Sequence, residues 1–312
     1  MLHLRLISPP ERTEDVVGLI ERTVGTAHLV VLPGAARDPA GDLVLCDVAR
    51  ESGDALLTGL QRLGLEDDGS IAVENIDLSL SRRAEQAEKD APGEPADAVL
   101  WDHLTEATHE ESTLSATYLA FITLATMIAA CGVVLDNAVL IVGAMAVGPE
   151  FGPLAGISTA TVRRQPRLAL RSVVALIAGF AVAMAVTVGF SWFMDALGLF
   201  SERQLEADRP NTAFVYAPDW FSFIVAVLAG IAGTLSLTSA KSGALVGVAI
   251  SVTTVPAAAN AAVALSYGDT WQTWRSSEQL LLNLLGIVLA GTLTLVLQKW
   301  LWSRQPRKVN AV

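Results

Sequence analysis

Apolar and polar residues alternate at the start of the chain, with Leu2, Leu4 and Leu6 on one face, which is the period of a half-buried strand, and Pro9 and Pro10 end it. Val16, Val17, Leu19, Ile20 and Val24 then recur at helical spacing. His28 to Leu32 and Leu43 to Val48 are β-rich runs separated by a loop of Gly, Pro and Asp. Leu56, Leu57, Leu60 and Leu63 mark a second helix, and Ile71 and Val73 a last strand. The order βαββαβ predicts an α+β, ferredoxin-like domain over residues 1–80. That fold serves regulatory, metal and small-ligand roles alike, and an assembly or solubility module is the plainer alternative.

Residues 81–97, SRRAEQAEKDAPGEPAD, carry almost no bulky apolar side chain and are expected to be a linker. A helical pattern resumes at Val99, so residues 81–113 are expected to be charged linker and juxtamembrane helix. After Glu111 no charge occurs until Asp136, which makes Ser115 to Leu135 a 21-residue apolar segment, close to the ~20 residues a helix needs to cross a bilayer. Five more such segments follow at about Ala138 to Val162, Ser172 to Met194, Trp220 to Ala240, Ser242 to Tyr267 and Leu280 to Leu301. The pattern predicts a polytopic α-helical membrane domain of six spans over residues 114–303, followed by a tail, 304–312.

Charge divides the chain at the same place. Residues 1–113 hold 9 Lys or Arg against 23 Asp or Glu, residues 114–312 hold 12 against 9, and mean hydropathy is +0.47. An acidic domain of this kind excludes a basic nucleic-acid binder. Arg163, Arg164, Arg167 and Arg171 between spans two and three, Lys241 between four and five, and Lys299, Arg304, Arg307 and Lys308 at the end place those segments inside by the positive-inside rule. The loop Asp195 to Asp219, with five acids and only Arg203 and Arg209, falls outside. No secretory signal opens the chain, so both termini are expected in the cytoplasm of a cell with this protein in its plasma or inner membrane. Trp192, Trp220, Trp271, Trp274, Trp300 and Trp302 fall near span ends, as interfacial anchors do. Cys46 and Cys131, 85 positions apart, offer neither a disulfide framework nor a thiolate metal site.

The spans form two sets of three, since starts at 115, 138 and 172 map to 220, 242 and 280 with an offset of about 105. An odd number of crossings per set inverts the second relative to the first, the 3+3 inverted repeat of many secondary transporters. Proline interrupts the middle helix of each set: Gly148, Pro149, Glu150, Phe151, Gly152 and Pro153 in span two, Pro256 in span five. Matched interruptions free backbone carbonyls and point to a solute or ion site, and we include Asn260 of span five in it. A packing kink is the alternative. Glu150 is the only acid deep in a span, where an ionised side chain costs ~3 kcal/mol on insertion scales. It is expected to bind a cation, relay a proton or line a pore, or else to cap the broken helix as a neutral side chain. Gly148, Gly152 and Gly156, and likewise Gly243, Gly247 and Ser251, have the four-residue spacing that lets helices approach closely or subunits meet, so a homo-oligomer is expected.

Two weaker constellations remain. Ser239, Lys241 and Ser242 put hydroxyls and a cation at the start of span five, where an anion or lipid head could dock, although a snorkelling lysine is the commoner explanation. His103, Glu106 and Glu110 share a helix face at i, i+3 and i+7 and could hold zinc, against the plainer reading of a solvated face.

VGAMAVGPEFGPL at 142–154 and SLTSAKSGALVGVAIS at 236–251 resemble the signature segments of the bacterial membrane family catalogued as domain of unknown function 389, and the likeness spans most of residues 100–265. Gly143, Ala144, Met145, Pro149, Gly152 and Pro153 match the first pattern, while Gly148 replaces a usual serine and Glu150 an apolar residue. Pro256 stands alone where the family often has a proline pair. The resemblance implies a membrane fold and supplies no substrate. Taken together, the residues favour a transporter or channel for a small solute or ion with a cytoplasmic regulatory domain. The alternative is a membrane-anchored sensor or scaffold whose ferredoxin-like domain binds a small ligand. No HExxH, GxSxG or catalytic Asp pair lies in a span, so an enzyme is not expected.

Overall fold

The computed structural model describes residues 1–94, 98–216, 219–239 and 254–304. The chain divides into two compact units, one built on Met1–Asp102 and the other on the helices that follow.

In the first unit the order is β1 (Leu2–Ser8), α1 (Thr13–Arg22), β2 (Thr26–Arg37), β3 (Ala40–Val48), α2 (Arg50–Arg62), the single turn α3 (Leu65–Asp68) and β4 (Ser70–Asn75). The sheet runs β2-β3-β1-β4 with every neighbouring pair antiparallel, which is the βαββαβ arrangement expected from the periodicity. Leu2, Leu4 and Leu6 all face inward and pack with Val44, Cys46 and Val48 of β3, Val16 and Ile20 of α1, and Leu56 and Leu60 of α2. Each such side chain contributes about 1.5–3 kcal/mol by leaving water. Burial pushes the Cys46 thiol up to about 12, so it packs as a small hydrophobe and not as a nucleophile.

Two segments depart from expectation. β2 and β3 run on through the Gly, Pro and Asp stretch, and register shifts between Ala27 and Val30 and between Leu32 and Ala36 absorb Pro33 and Gly34. Gly34 adopts a positive φ of 63°, and its N–H donates to Asp42 Oδ1 at 2.8 Å. The expected linker contains a helix, α4 (Arg82–Asp90), because Ser81 caps it by accepting from the Ala84 N–H, and Ala84 and Ala87, three residues apart, are small enough to bury without bulk.

A chain of hydrogen bonds joins the start of α4 to β2 and β3. Ser81 Oγ lies 2.8 Å from His28 Nε2, His28 Nδ1 lies 2.6 Å from Asp47 Oδ2, and His3 Nδ1 lies 2.7 Å from Asp47 Oδ1. A carboxylate only accepts, so Nδ1 of a neutral His28 carries the proton and Nε2 accepts from the Ser81 hydroxyl.

The second unit contains α5 (Trp101–Glu111), α6 (Ala116–Val134), α7 (Ala138–Val147), α8 (Phe151–Arg163), α9 (Pro166–Ala196), α10 (Glu202–Glu206), α11 (Trp220–Thr238), α12 (Thr254–Ser266) and α13 (Thr270–Arg304). Among the described residues α6, α9, α11 and α13 are long and apolar enough to cross a membrane, and α7 with α8, bent by 53°, makes a fifth if the pair is one span. Their outward residues, Leu170, Ile177, Leu228 and Leu293 among them, are exposed, as lipid-facing side chains are. The expected span Ser242 to Tyr267 falls partly outside the described residues. Its described part, α12, has 13 residues, about 20 Å of helix against a hydrocarbon core of about 30 Å.

α12 is buried on every side from Thr254 to Ala264. Its alanines keep it thin, so α6 and α9 close around it, and Val255, Ala258, Ala259 and Val263 join a core with Ile122, Ala125, Ala129, Phe180, Ala183 and Ile287. Pro256 is the third described residue of α12, and Pro153 stands in the first turn of α8. At Pro153 a missing N–H therefore removes no intrahelical bond. The last helix starts at Thr270, ten residues before the expected Leu280.

Candidate functional site

The site begins where α7 stops. Asn137 caps that helix by accepting from the Val139 and Leu140 N–H groups at 3.0 and 3.2 Å, and Gly148, Pro149 and Glu150 form the bend before α8. Pro149 cannot continue the hydrogen-bond ladder, and the chain turns there. Glu150 is 1% exposed. Its Oε1 accepts a 2.8 Å bond from the hydroxyl of Thr254, the first residue of α12, and its Oε2 has no partner among the described residues. A Cβ at Gly148 would collide with Glu150 Oε2 and press on Val255 Cγ2, so glycine leaves the space that the carboxylate occupies.

Gly152 and Gly156 continue that small-residue face along α8. Side chains there would overlap Glu111 and the hydroxyls of Ser112 and Ser172, which bond to each other at 2.9 Å. The four-residue glycine spacing therefore marks close packing of α8 against the end of α5 and the start of α9. Gly243, Gly247 and Ser251 lie outside the described residues.

A second polar centre surrounds Asn260. Its Oδ1 accepts from Arg209 Nη1 at 2.9 Å, its Nδ2 donates to Ser276 Oγ at 2.7 Å, and Arg209 Nη2 donates to Gln272 Oε1 at 2.8 Å. Arg209 is 2% exposed, and its guanidinium stacks 4.7 Å from the centre of the Tyr216 ring. The segment that carries it is tied down by Thr212 Oγ1 and Asn211 Nδ2, which donate to Asp136 at 2.9 and 2.8 Å. Burial alone would raise the Asp136 carboxyl, but these bonds hold it below its ordinary value.

A polar stripe on α13 borders the Asn260 centre. Gln272, Ser276, Gln279 and Asn283 follow one another at i, i+4, i+7 and i+11 on α13, and all four are buried. Neither amide atom of Gln279 has a partner among the described residues. α12 and α13 are joined by a three-residue turn, and Asn260 bonded to Ser276 fixes their antiparallel register. Asn260 to Thr254 is about 9 Å along the helix. Asn260, which meets Arg209, and Thr254, which meets Glu150, thus stand on one buried helix.

The remaining candidates do not converge on these two centres. His103, Glu106 and Glu110 are exposed along α5, and among the described residues no three of His, Cys, Asp and Glu are placed to hold a metal ion. Glu106 instead lines an open cavity of about 460 Å³ with His109, Arg164 and Arg167. Ser239 is half-buried just after α11, and Lys241 and Ser242 lie outside the described residues. Arg209, Thr254 and the α13 stripe are site residues that sequence reasoning missed, although the stripe's spacing was available to it.

Fold and site together define a multi-pass helical membrane protein with an α+β domain at its amino end. Residues 145–289 match the model of a family described as Domain of unknown function (DUF389). That range takes in Glu150, Arg209, Asn260 and the whole stripe, while Gly143 and Ala144 precede it. The chain is also similar to an uncharacterized protein of Methanocaldococcus jannaschii, 25% identical over 207 residues. The similarity covers 66% of this chain and 61% of that protein, so the chain spans about three fifths of its relative's length. No solved structure matches.

Proposed function

We propose that the chain moves a small solute or ion across a membrane, as a transporter or channel, and that its amino-terminal domain regulates the movement. The observation that carries this is Glu150: a carboxylate buried at a helix bend, held by one hydroxyl, with its second oxygen unpartnered among the described residues; in this proposal the polar side chains of α12 and α13 form a column leading away from it. Burying such a group in an apolar bundle is costly, and structural proteins avoid it. In a pathway the free oxygen takes a proton or a cation, and the amides and hydroxyls of α12 and α13 replace water for what passes. Movement, and not chemical conversion, is what this set of groups supports.

In the same proposal, six crossings form a 3+3 inverted repeat whose middle members are the bent pair α7 and α8 and the segment ending in α12. Pro153, in the first turn of α8, and Pro256, near the start of the described part of α12, support that pairing. Both termini are cytoplasmic, and the glycine-lined faces favour a homo-oligomer.

The test is flux in proteoliposomes loaded with a pH-sensitive dye and, in parallel, with a potassium-sensitive dye. Wild-type protein should carry one of these ions, or couple it to a solute gradient, and Glu150→Gln should reduce that flux to the level of empty liposomes while leaving assembly and melting intact. Full flux in Glu150→Gln, or a variant that unfolds, would make Glu150 a structural cap.

A further inference from the structure

A second buried glutamate lies in the first unit, independent of the transport site. Glu51, the second residue of α2, is 4% exposed, and neither of its carboxylate oxygens has a hydrogen-bond partner among the described residues. It forms one wall of a cavity of about 420 Å³ whose other walls are Glu85, Glu88 and Lys89 of α4, then Ala91, Gly93 and Glu94. The Ser81, His28 and Asp47 chain anchors the start of α4, and Glu85 and Glu88, one turn apart, are set against Glu51 by that docking.

The charges do not balance. Four carboxylates line the space against one ammonium, Lys89, and the Met1 ammonium, 3.1 Å from Glu88. Burial, with smaller contributions from Glu88 and Glu94, raises the Glu51 pKa. A buried carboxylate with no donor is destabilising unless a cation meets it.

The cavity's size narrows the class of cation. It lies in the range of small-molecule sites, and among the described residues no three acidic, His or Cys side chains come together as a metal ion requires. Charge spread over several carboxylates calls for a ligand with several separated ammonium groups, each donating to a different acid.

We propose that the cavity bounded by Glu51, Glu85, Glu88 and Glu94 is a binding site for a di- or polyammonium compound, through which the amino-terminal domain senses that compound. Glu51 supplies the buried charge, and Glu85 and Glu94, both exposed, supply the rim.

The experiment is isothermal titration of spermidine into the full-length protein in detergent at neutral pH, repeated with magnesium chloride and with sodium chloride at matched ionic strength. Saturable spermidine binding is expected, about tenfold or more tighter than magnesium, one charged contact being worth roughly that factor. Glu51→Gln, which keeps the shape, should weaken it by about tenfold. The double variant Glu85→Gln and Glu94→Gln changes only exposed positions and should weaken it comparably, so the outcome does not depend on Glu51→Gln folding. Spermidine heats that sodium chloride abolishes, equal binding of magnesium, or wild-type affinity in the double variant would each overturn the proposal. None of these results bears on flux through the Glu150 site, so the two proposals fail separately.

Discussion

Glu150 and Glu51 are both buried glutamates with oxygens that have no partner among the described residues, yet they sit in different solvents and are held in different ways. Glu150 stands in the helical unit with one hydroxyl donor, Thr254, in a space that Gly148 leaves open. Glu51 stands in the acidic unit with no hydrogen-bonding partner for its oxygens among the described residues, beside a cavity walled by three further carboxylates. Burial alone therefore does not define a role. The neighbourhood does: a single neutral donor at a helix bend suits a group that exchanges a proton or ion, whereas like charges around a cavity suit a group that waits for a multivalent cation.

The comparison can be broken most sharply at Arg209, a buried charge in the helical unit with several neutral partners. Arg209→Ala should destabilise that unit by about 2–5 kcal/mol, because it empties a large buried volume and leaves Asn260 Oδ1 and Gln272 Oε1 without their donor. Thermal unfolding in detergent would check this, and a change within error would show that the Asn260 centre is not a packed element. Thr254→Val should cost about 1–3 kcal/mol, since it strips Glu150 of its donor while nearly conserving volume. Glu51→Gln should act in the opposite direction, stabilising the amino-terminal domain by about 1–3 kcal/mol at neutral pH by removing an uncompensated buried charge. If both substitutions destabilise, the distinction between the two glutamates fails.

The smallest effect is in pH. The folded-state pKa of Glu51 lies above 4.5, so folding takes up a proton. Its favourable contribution is complete below 4.5 and is lost as pH rises through the raised value. Asp136 runs the other way: its lowered pKa contributes stability above 3.8 that is lost as pH falls through the lower value. Denaturant midpoints of the amino-terminal domain should therefore rise on acidification from neutral pH towards 4.5, and Glu51→Gln should flatten that rise. A midpoint independent of pH would remove Glu51 as an uncompensated charge.

The α+β domain was legible in the sequence because Leu2, Leu4 and Leu6 alternate cleanly and Val16, Ile20, Leu56 and Leu60 repeat at helical spacing. Helix α4 was not, since its buried face is made of Ala84 and Ala87, which composition counts as featureless. The long apolar helices were legible by length, whereas the first turns of α13 lie before the span expected at Leu280, because Gln272, Ser276 and Gln279 look like a span boundary. Only their spacing and common burial show them as an inward stripe. Glu150 stood out as an acid among apolar residues. Arg209 and Glu51 did not, because in charged segments a buried charge has the same composition as an exposed one and only tertiary contact separates them.

Wetting of the α13 stripe tests the central claim most directly. In protein whose Cys46 and Cys131 are replaced by alanine, single cysteines are placed at Gln279, on the stripe, and at Leu281 and Leu285, which are 57% and 50% exposed on the outward side. Each is then treated in liposomes with a membrane-impermeant methanethiosulfonate. A pathway predicts that the cysteine at 279 reacts from the aqueous phase many times faster than those at 281 and 285, and that its modification blocks flux. A cysteine at 279 that stays unreactive from both sides, or that reacts no faster than the two outward positions, would contradict the pathway and leave the column as internal packing.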